Sequence, residues 1–172
     1  TGNLGQKKVL IGVPEKAYKS GAKKVFMQNL EEEFVYDYIF PALKAGALYE
    51  HTYPMATSLG RPLLAKALVE VAKRERCTAV AHGCTGKGND QVRFEGYILT
   101  HNPDMKIIAP VREWNMDRNE EIKYAKKHGI EIPVSVNSPY SDDDNMWGMT
   151  WEGGEIEDPE IISPIEKFLT TY

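Results

Sequence analysis

Apolar residues along the chain fall into short runs separated by longer helical stripes. The runs Val25-Phe26-Met27, Thr78-Ala79-Val80-Ala81 and Lys106-Ile107-Ile108-Ala109 have the length of short buried strands, the last ending at Pro110. Apolar residues at 34, 35, 38, 39, 42 and 43 lay a stripe along a helix from Glu31 to Ala45. Pro41 should kink or break that helix, because proline has no N–H and its ring crowds the preceding turn. A second helix opens near Ser58, with Leu63, Leu64, Ala67, Leu68, Val71 and Ala72 on one face and charges on the other. Gln91 to His101 reads as a third. Asp117 with Glu120 forms a capping box for a fourth, which ends at His128 before Gly129. Pro14 suits a first helical turn, so Glu15 to Ser20 makes a short helix with Gly21 past its end. Lys7 to Val13 (KKVLIGV) reads locally as a strand bounded by that proline. Strands alternating with helices predict an α/β fold with a parallel sheet.

From Val134 onward the composition shifts to Ser, Asn, Pro and Asp, which divides the chain into residues 1–133 and 134–172. Asp142-Asp143-Asp144-Asn145 invites a calcium reading, but the EF-hand spacing, glycine and terminal glutamate are missing. A solvated acidic turn, with no protein-bound metal, is the expectation. The 172 residues, 42% hydrophobic and 10% aromatic, suffice for one domain with a core, or one and part of another. Lys and Arg total 21 against 25 acidic residues, and the net charge of −4 provides no general attraction to nucleic acid or an anionic membrane. No stretch approaches the roughly 18 apolar residues of a membrane span, and no basic-then-apolar signal opens the chain. Cys77 and Cys84 fit neither a CxxC pair nor a disulfide framework. Cys77 is expected in the core, and a reducing cytoplasm is the expected compartment. His51 and His101 read as unpaired surface residues, and His128 is explained by the helix dipole.

The densest chemistry lies in His82-Gly83-Cys84-Thr85-Gly86-Lys87-Gly88-Asn89-Asp90-Gln91-Val92-Arg93-Phe94-Glu95. A strand, a glycine-rich loop and a helix start present backbone N–H groups to a phosphate or carboxylate. The loop is not a Walker A motif, since the glycine spacing is wrong and Lys87 is followed by glycine rather than Ser or Thr. A glycine-rich turn with no ligand is the competing reading.

The run HGCTGKGNDQVRFE closely resembles the signature of argininosuccinate synthase, the ligase that joins citrulline to aspartate using ATP. Ala47-Leu48-Tyr49-Glu50, Thr57-Ser58-Leu59-Gly60-Arg61-Pro62, Tyr124 to Ile130 and Glu152-Gly153-Gly154 are similar to that family too. The likeness runs almost gap-free from Asn3-Leu4-Gly5-Gln6 to Glu157-Asp158-Pro159 and then fades. It implies a three-layer parallel sheet of the adenine-nucleotide α-hydrolase, Rossmann-like type, here incomplete, plus the start of a second, synthetase domain. It implies a citrullyl-adenylate, formed when the citrulline ureido oxygen attacks the α-phosphate of ATP, from which the aspartate amine displaces AMP. Mg enters only as the counter-ion of ATP.

Carried over by position, Gly2, His82 and Gly83 would contact ATP, Gly2 through its backbone. Thr85, Asn89 and Asp90 would hold aspartate, Asp90 as partner of the amine. Tyr53, Ser58, Asn89, Arg93, Ser141 and Thr150 would meet citrulline, with Thr150 standing where the family has serine. Ser58 has a second reading as a helix N-cap, and Lys87 is either a phosphate counter-charge or a solvated lysine. The family's serine- and glycine-rich pyrophosphate loop, SGGxDTS, occurs nowhere in these 172 residues, nor does the helix of its homotetramer. The expectation is a piece of an argininosuccinate synthase, inactive alone. The alternative is a non-catalytic amino-acid-binding module or partner subunit; a tRNA-modifying or amidating relative would share the missing loop rather than HGCTGKGND. The family spacing around Gly5-Gln6 and Gly21-Ala22 also favours a helix over Pro14 to Ser20, with Lys7–Val13 outside the sheet.

Overall fold

The computed structural model describes residues 1–6, 10–86, 88–116, 118–130 and 141–165, and the side chains at 118, 119 and 141 are outside that description. Lys7 to Val9, Lys87, the capping residue Asp117 and the division expected at 133/134 therefore lie outside the described residues.

Among the described residues the parallel strands form two separate pairs: β1 (Gly2–Asn3) beside β2 (Gln28–Asn29), and β3 (Ala79–Ala81) beside β4 (Lys106–Ile108). Parallel neighbours need a crossover, and helix α5 (Asp90–His101) supplies it between β3 and β4. The first run is displaced from its expected place. Gln28–Asn29 carries the ladder rather than Val25–Met27, because the N–H groups of Gln28 and Leu30 reach the carbonyls of Thr1 and Asn3, both at 2.9 Å. The other edge of β1 is closed by its own chain. The Gln6 amide accepts from Leu4 N–H at 2.6 Å and donates to the Gly2 carbonyl at 3.0 Å, in the place of a neighbouring strand's peptide group.

Helix α1 (Val13–Lys19) follows a turn that includes Leu10 to Gly12, so the described part of KKVLIGV is not a strand. Glu31 to Lys44 is helical throughout: α2 (Glu31–Glu33), a π-helical stretch (Phe34–Ile39) and α3 (Phe40–Lys44). Pro41 does not break it. The Phe40 N–H reaches back to the Val35 carbonyl, and this widened turn just before the proline relieves the crowding its ring would cause.

Helix α4 (Ala56–Arg74) is the organising element, buried on two sides rather than one. Leu63 and Ala67 pack with Leu4, Leu30, Phe34 and Ile39. Ala65, Val69 and Ala72 pack with Val80, Ile98 and Met105. Leu64, packed on the first of these clusters, Leu68, packed on the second, and Val71 also line an apolar groove of about 560 Å³ beside Gly2, Phe26 and Phe94. Helix α6 (Pro110–Trp114) follows β4 directly, and α7 (Arg118–Lys127) ends where Gly129 turns with φ +65° and Ile130 N–H bonds the Ala125 carbonyl.

The acidic run Asp142–Asn145 belongs to a strand, not a solvated turn. β5 (Ser141–Asn145) pairs antiparallel with β6 (Gly148–Glu152), and the Asn145 side-chain Oδ1 caps the hairpin by accepting from Trp147 and Gly148 N–H. The hairpin is pinned to the start of α4. Trp147 Nε1 donates to the Pro54 carbonyl at 2.7 Å, Asn145 Nδ2 to that of Ala56 at 3.0 Å, and Met146 N–H to that of Leu4 at 2.8 Å. Two other expectations change. Cys77 is exposed, and His101, at the surface as expected, is not unpaired: its ring stacks on Tyr97 at 4.4 Å while its Nδ1–H reaches the Tyr97 carbonyl. Among the described residues no helix is long and apolar enough to cross a membrane, and no group of His, Cys, Asp and Glu is placed to hold a metal ion.

Candidate functional site

A polar cavity of about 480 Å³ opens where the glycine-rich loop, α4, α5 and the β5–β6 hairpin meet. The loop leaves β3 at Ala81 and enters α5 at Asp90, so Thr85 lies in the loop, Asn89 and Asp90 stand at the start of the helix, and Arg93 is one turn on. Tyr53 arrives from a strained connection. Glu50, His51 and Met55 all have left-handed backbones, φ 50°, 62° and 56°, and Tyr49 and Tyr53 exchange two backbone hydrogen bonds across the turn. Non-glycine residues held this way cost about 1–2 kcal/mol each and persist where the surroundings fix them.

Seven of the residues singled out from sequence line this one cavity: Tyr53, Gly83, Thr85, Asn89, Asp90, Arg93 and Thr150. Others do not. Gly2 lies in the apolar groove, where a Cβ would stand 2.5 Å from Leu64 Cδ2, and its carbonyl is already taken by Gln6. The His82 ring is turned away toward Glu95. Ser58 is in the first turn of α4 but outside the lining, and its neighbour Thr57 lines the cavity, Oγ1 at 3.4 Å from Thr150 Oγ1. Nor is Ser58 the N-cap, a position Met55 occupies. Ser141 pairs through its backbone with Glu152, and its side chain is outside the description.

Sequence reading missed the charge that organises the wall. Arg61 donates from Nε to Asp90 Oδ2 at 2.7 Å and from Nη2 to Asp143 Oδ1 at 2.8 Å. Arg93 Nη1 takes the other Asp90 oxygen at 2.9 Å. Burial works against the Arg61 charge, but the bonds from Asp143 and Asp90 outweigh it and hold the guanidinium above its ordinary pKa. The sequence showed Arg61 and Thr57 only as parts of the family-like run Thr57 to Pro62, with no role for either, while Asp143 comes from a hairpin that no local pattern links to α4. Burial, then the nearby Asp90 carboxylate, raises the Cys84 thiol above its usual value, so Cys84 is present as a neutral thiol.

Two guanidinium groups, the carboxylates of Asp90, Asp143 and Glu152 and the hydroxyls of Tyr53, Thr57, Thr85 and Thr150 therefore share one cavity wall. Each Asp90 oxygen keeps a lone pair after serving one arginine, so the carboxylate can still receive an ammonium group. The arginines and loop hydroxyls suit carboxylates. This is a surface matched to zwitterions.

Comparison with known proteins agrees with the loop motif. Residues 1–131 match the family described as arginosuccinate synthase N-terminal HUP domain. The argininosuccinate synthases of Chlorobium phaeobacteroides (strain BS1) and Geobacillus kaustophilus (strain HTA426) are each 54% identical to the chain, over 99% and 98% of it. That of Chlorobium limicola is 53% identical over 99%. The chain spans 43%, 42% and 43% of the lengths of these three relatives. With its short parallel strands, interleaved helices and glycine-rich loop, the chain belongs to the argininosuccinate synthase family and has the Rossmann-like α/β fold of its HUP domain.

Proposed function

We propose that the 480 Å³ cavity is the amino-acid half of an argininosuccinate synthase site, receiving aspartate and citrulline for an ATP-dependent ligation. The observation that carries this reading is the convergence of Tyr53, Thr85, Asn89, Asp90, Arg93 and Thr150, drawn from three separate parts of the chain, on one polar cavity. In this reading Asp90, held by Arg61 and Arg93, receives the aspartate amine. Thr85 and Asn89 take aspartate carboxylate oxygens, and Asn89, Arg93, Tyr53 and Thr150 face citrulline, with Ser141 beside them on β5. Gly83 would let a nucleotide approach the loop backbone, because a Cβ there would meet no atom within 4 Å and the site is open. His82 would contribute to ATP through its carbonyl alone, since its N–H is bonded to the Ile108 carbonyl at 3.1 Å.

Setting the citrulline ureido oxygen against the α-phosphate as pyrophosphate leaves, and then the aspartate amine against the ureido carbon as AMP leaves, is positioning chemistry, and a cavity whose charges are already fixed lowers its reorganisation cost. The free thiols suit a reducing cytoplasm, and assembly as a homotetramer belongs to the same reading. The test is a titration of the ¹⁵N-labelled protein with aspartate and with citrulline. Shifts centred on Thr85, Asn89, Arg93 and Thr150 are expected. Saturable shifts confined to the apolar groove, or none, would count against the reading.

A further inference from the structure

A loop with glycines at 83, 86 and 88 has little stiffness of its own, so something must hold it if Thr85, Asn89 and Asp90 are to meet a ligand in fixed positions. His82 stands at its root with a side chain only 4% exposed. Three groups fix the ring. Phe94 stacks on it with centroids 6.0 Å apart, Nε2 lies 3.1 Å from Glu95 Oε1, and the Cys84 N–H points at Nδ1 from 3.3 Å. A carboxylate can only accept and a backbone N–H can only donate. The ring therefore carries its one proton on Nε2 and offers a bare Nδ1 to Cys84, the same i to i+2 turn that an Asn side chain makes.

The support continues outward. Arg112, from α6, donates to Glu95 Oε1 at 2.6 Å and to Gln91 Oε1 at 2.8 Å, and Gln91 Nε2 in turn holds the Gly86 carbonyl at 2.8 Å. One set of side chains thus grips the loop at Cys84 and at Gly86. None of His82, Gln91, Glu95 and Arg112 lines the 480 Å³ cavity. We infer that His82 is a positioning residue: locked in its Nε2–H tautomer by Glu95 and Arg112, it sets the loop through the Cys84 N–H. Its effect on aspartate affinity rests on the reading above; its effect on the loop does not.

Asn and Gln imitate the two halves of an imidazole and separate this role from others. His82→Asn restores an acceptor near the Nδ1 position and gives up Glu95, whereas His82→Gln keeps reach toward Glu95 and gives up the acceptor. Amide hydrogen exchange at Cys84 is the primary readout, with the ring ¹⁵N shifts reporting the tautomer. Cys84 should be protected in the parent and in His82→Asn, and should exchange about tenfold faster in His82→Gln, the effect of one backbone hydrogen bond. Aspartate affinity should follow the same order. A proton found on Nδ1, or equal Cys84 exchange in the two variants, overturns the inference. If the parent does not bind aspartate yet the exchange order holds, the inference stands and the binding reading fails. Should His82→Gln not fold, Glu95→Ala frees Nε2 and must likewise expose the Cys84 amide; unchanged exchange there overturns it as well.

Discussion

Removing the Arg61 guanidinium is the sharpest perturbation of the cavity wall. In Arg61→Met the apolar stem is kept and two charge-assisted hydrogen bonds are lost, at 2.7 and 2.8 Å. Bonds to charged groups are worth about 1.5–3 kcal/mol each. The side chains of Arg61, Asp90 and Asp143 are 21%, 29% and 37% exposed, so water replaces part of what is lost. Halving the sum for that screening gives a destabilisation of about 1.5–3 kcal/mol. Arg61→Lys, which keeps the charge but cannot bridge two carboxylates, should lose about half as much. Urea unfolding of the parent, Arg61→Met, Asp143→Asn and the double variant measures the coupling directly. A coupling energy near 1 kcal/mol is expected for residues in one network, whereas additivity within about 0.3–0.5 kcal/mol would refute the clamp between α4 and the hairpin.

Leu63→Ala, at a side chain with 0% exposure between α4 and the Phe34 helix, should cost about 2–5 kcal/mol in urea unfolding, and a loss under about 1 would contradict the packing described. Gly5→Ala forces a side chain onto a backbone at φ +99° with its Cβ 2.8 Å from Met146 Cβ, so the hairpin should be displaced and the amide shifts of Asn145 and Met146 should move. Exposed Cys77 should alkylate well before Cys84 near about pH 8, since reaction needs the thiolate and burial raises the Cys84 thiol above 9.0; mass spectrometry of the peptides checks the order. By the same shift, folding favours the protonated Cys84. That contribution is full below 9.0 and is lost as pH rises through the higher folded value, so Cys84→Ser should flatten the stability profile there.

Helical periodicity and glycine-rich punctuation were the legible parts of this sequence. The stripes over 31–45 and 58–72 and the loop before α5 recur in the structure, because they are local patterns set by side-chain spacing. Properties that depend on distant partners were not legible. The run Val25–Met27 looks like a strand, yet pairing is decided by where Thr1 and Asn3 present their carbonyls, two residues further along. Cys77 has the composition of a core residue but falls just past the C-terminus of α4, at the surface. Asp142–Asn145 looks like a turn because acidic residues are poor strand formers, and it is a strand because β6, Arg61 and Trp147 hold it there. The loop residues of the cavity were readable from their motif. Thr57 and Arg61 stood out only as members of a family-like run and Asp143 only as part of an acidic one; that they face the loop was not legible, since tertiary packing alone brings them there.

The central claim is that Asp90 reads the amine of an acidic amino acid, and a pair of ligands isolates that contact. Succinate carries both carboxylates of aspartate and lacks the amine. Calorimetric titration of each into the parent and into Asp90→Asn should show aspartate favoured in the parent. In Asp90→Asn aspartate affinity should fall by about tenfold or more, the loss of one bond to a charged group, while succinate is weakened no further. Equal losses for the two ligands, or a parent that binds them equally, would contradict the account.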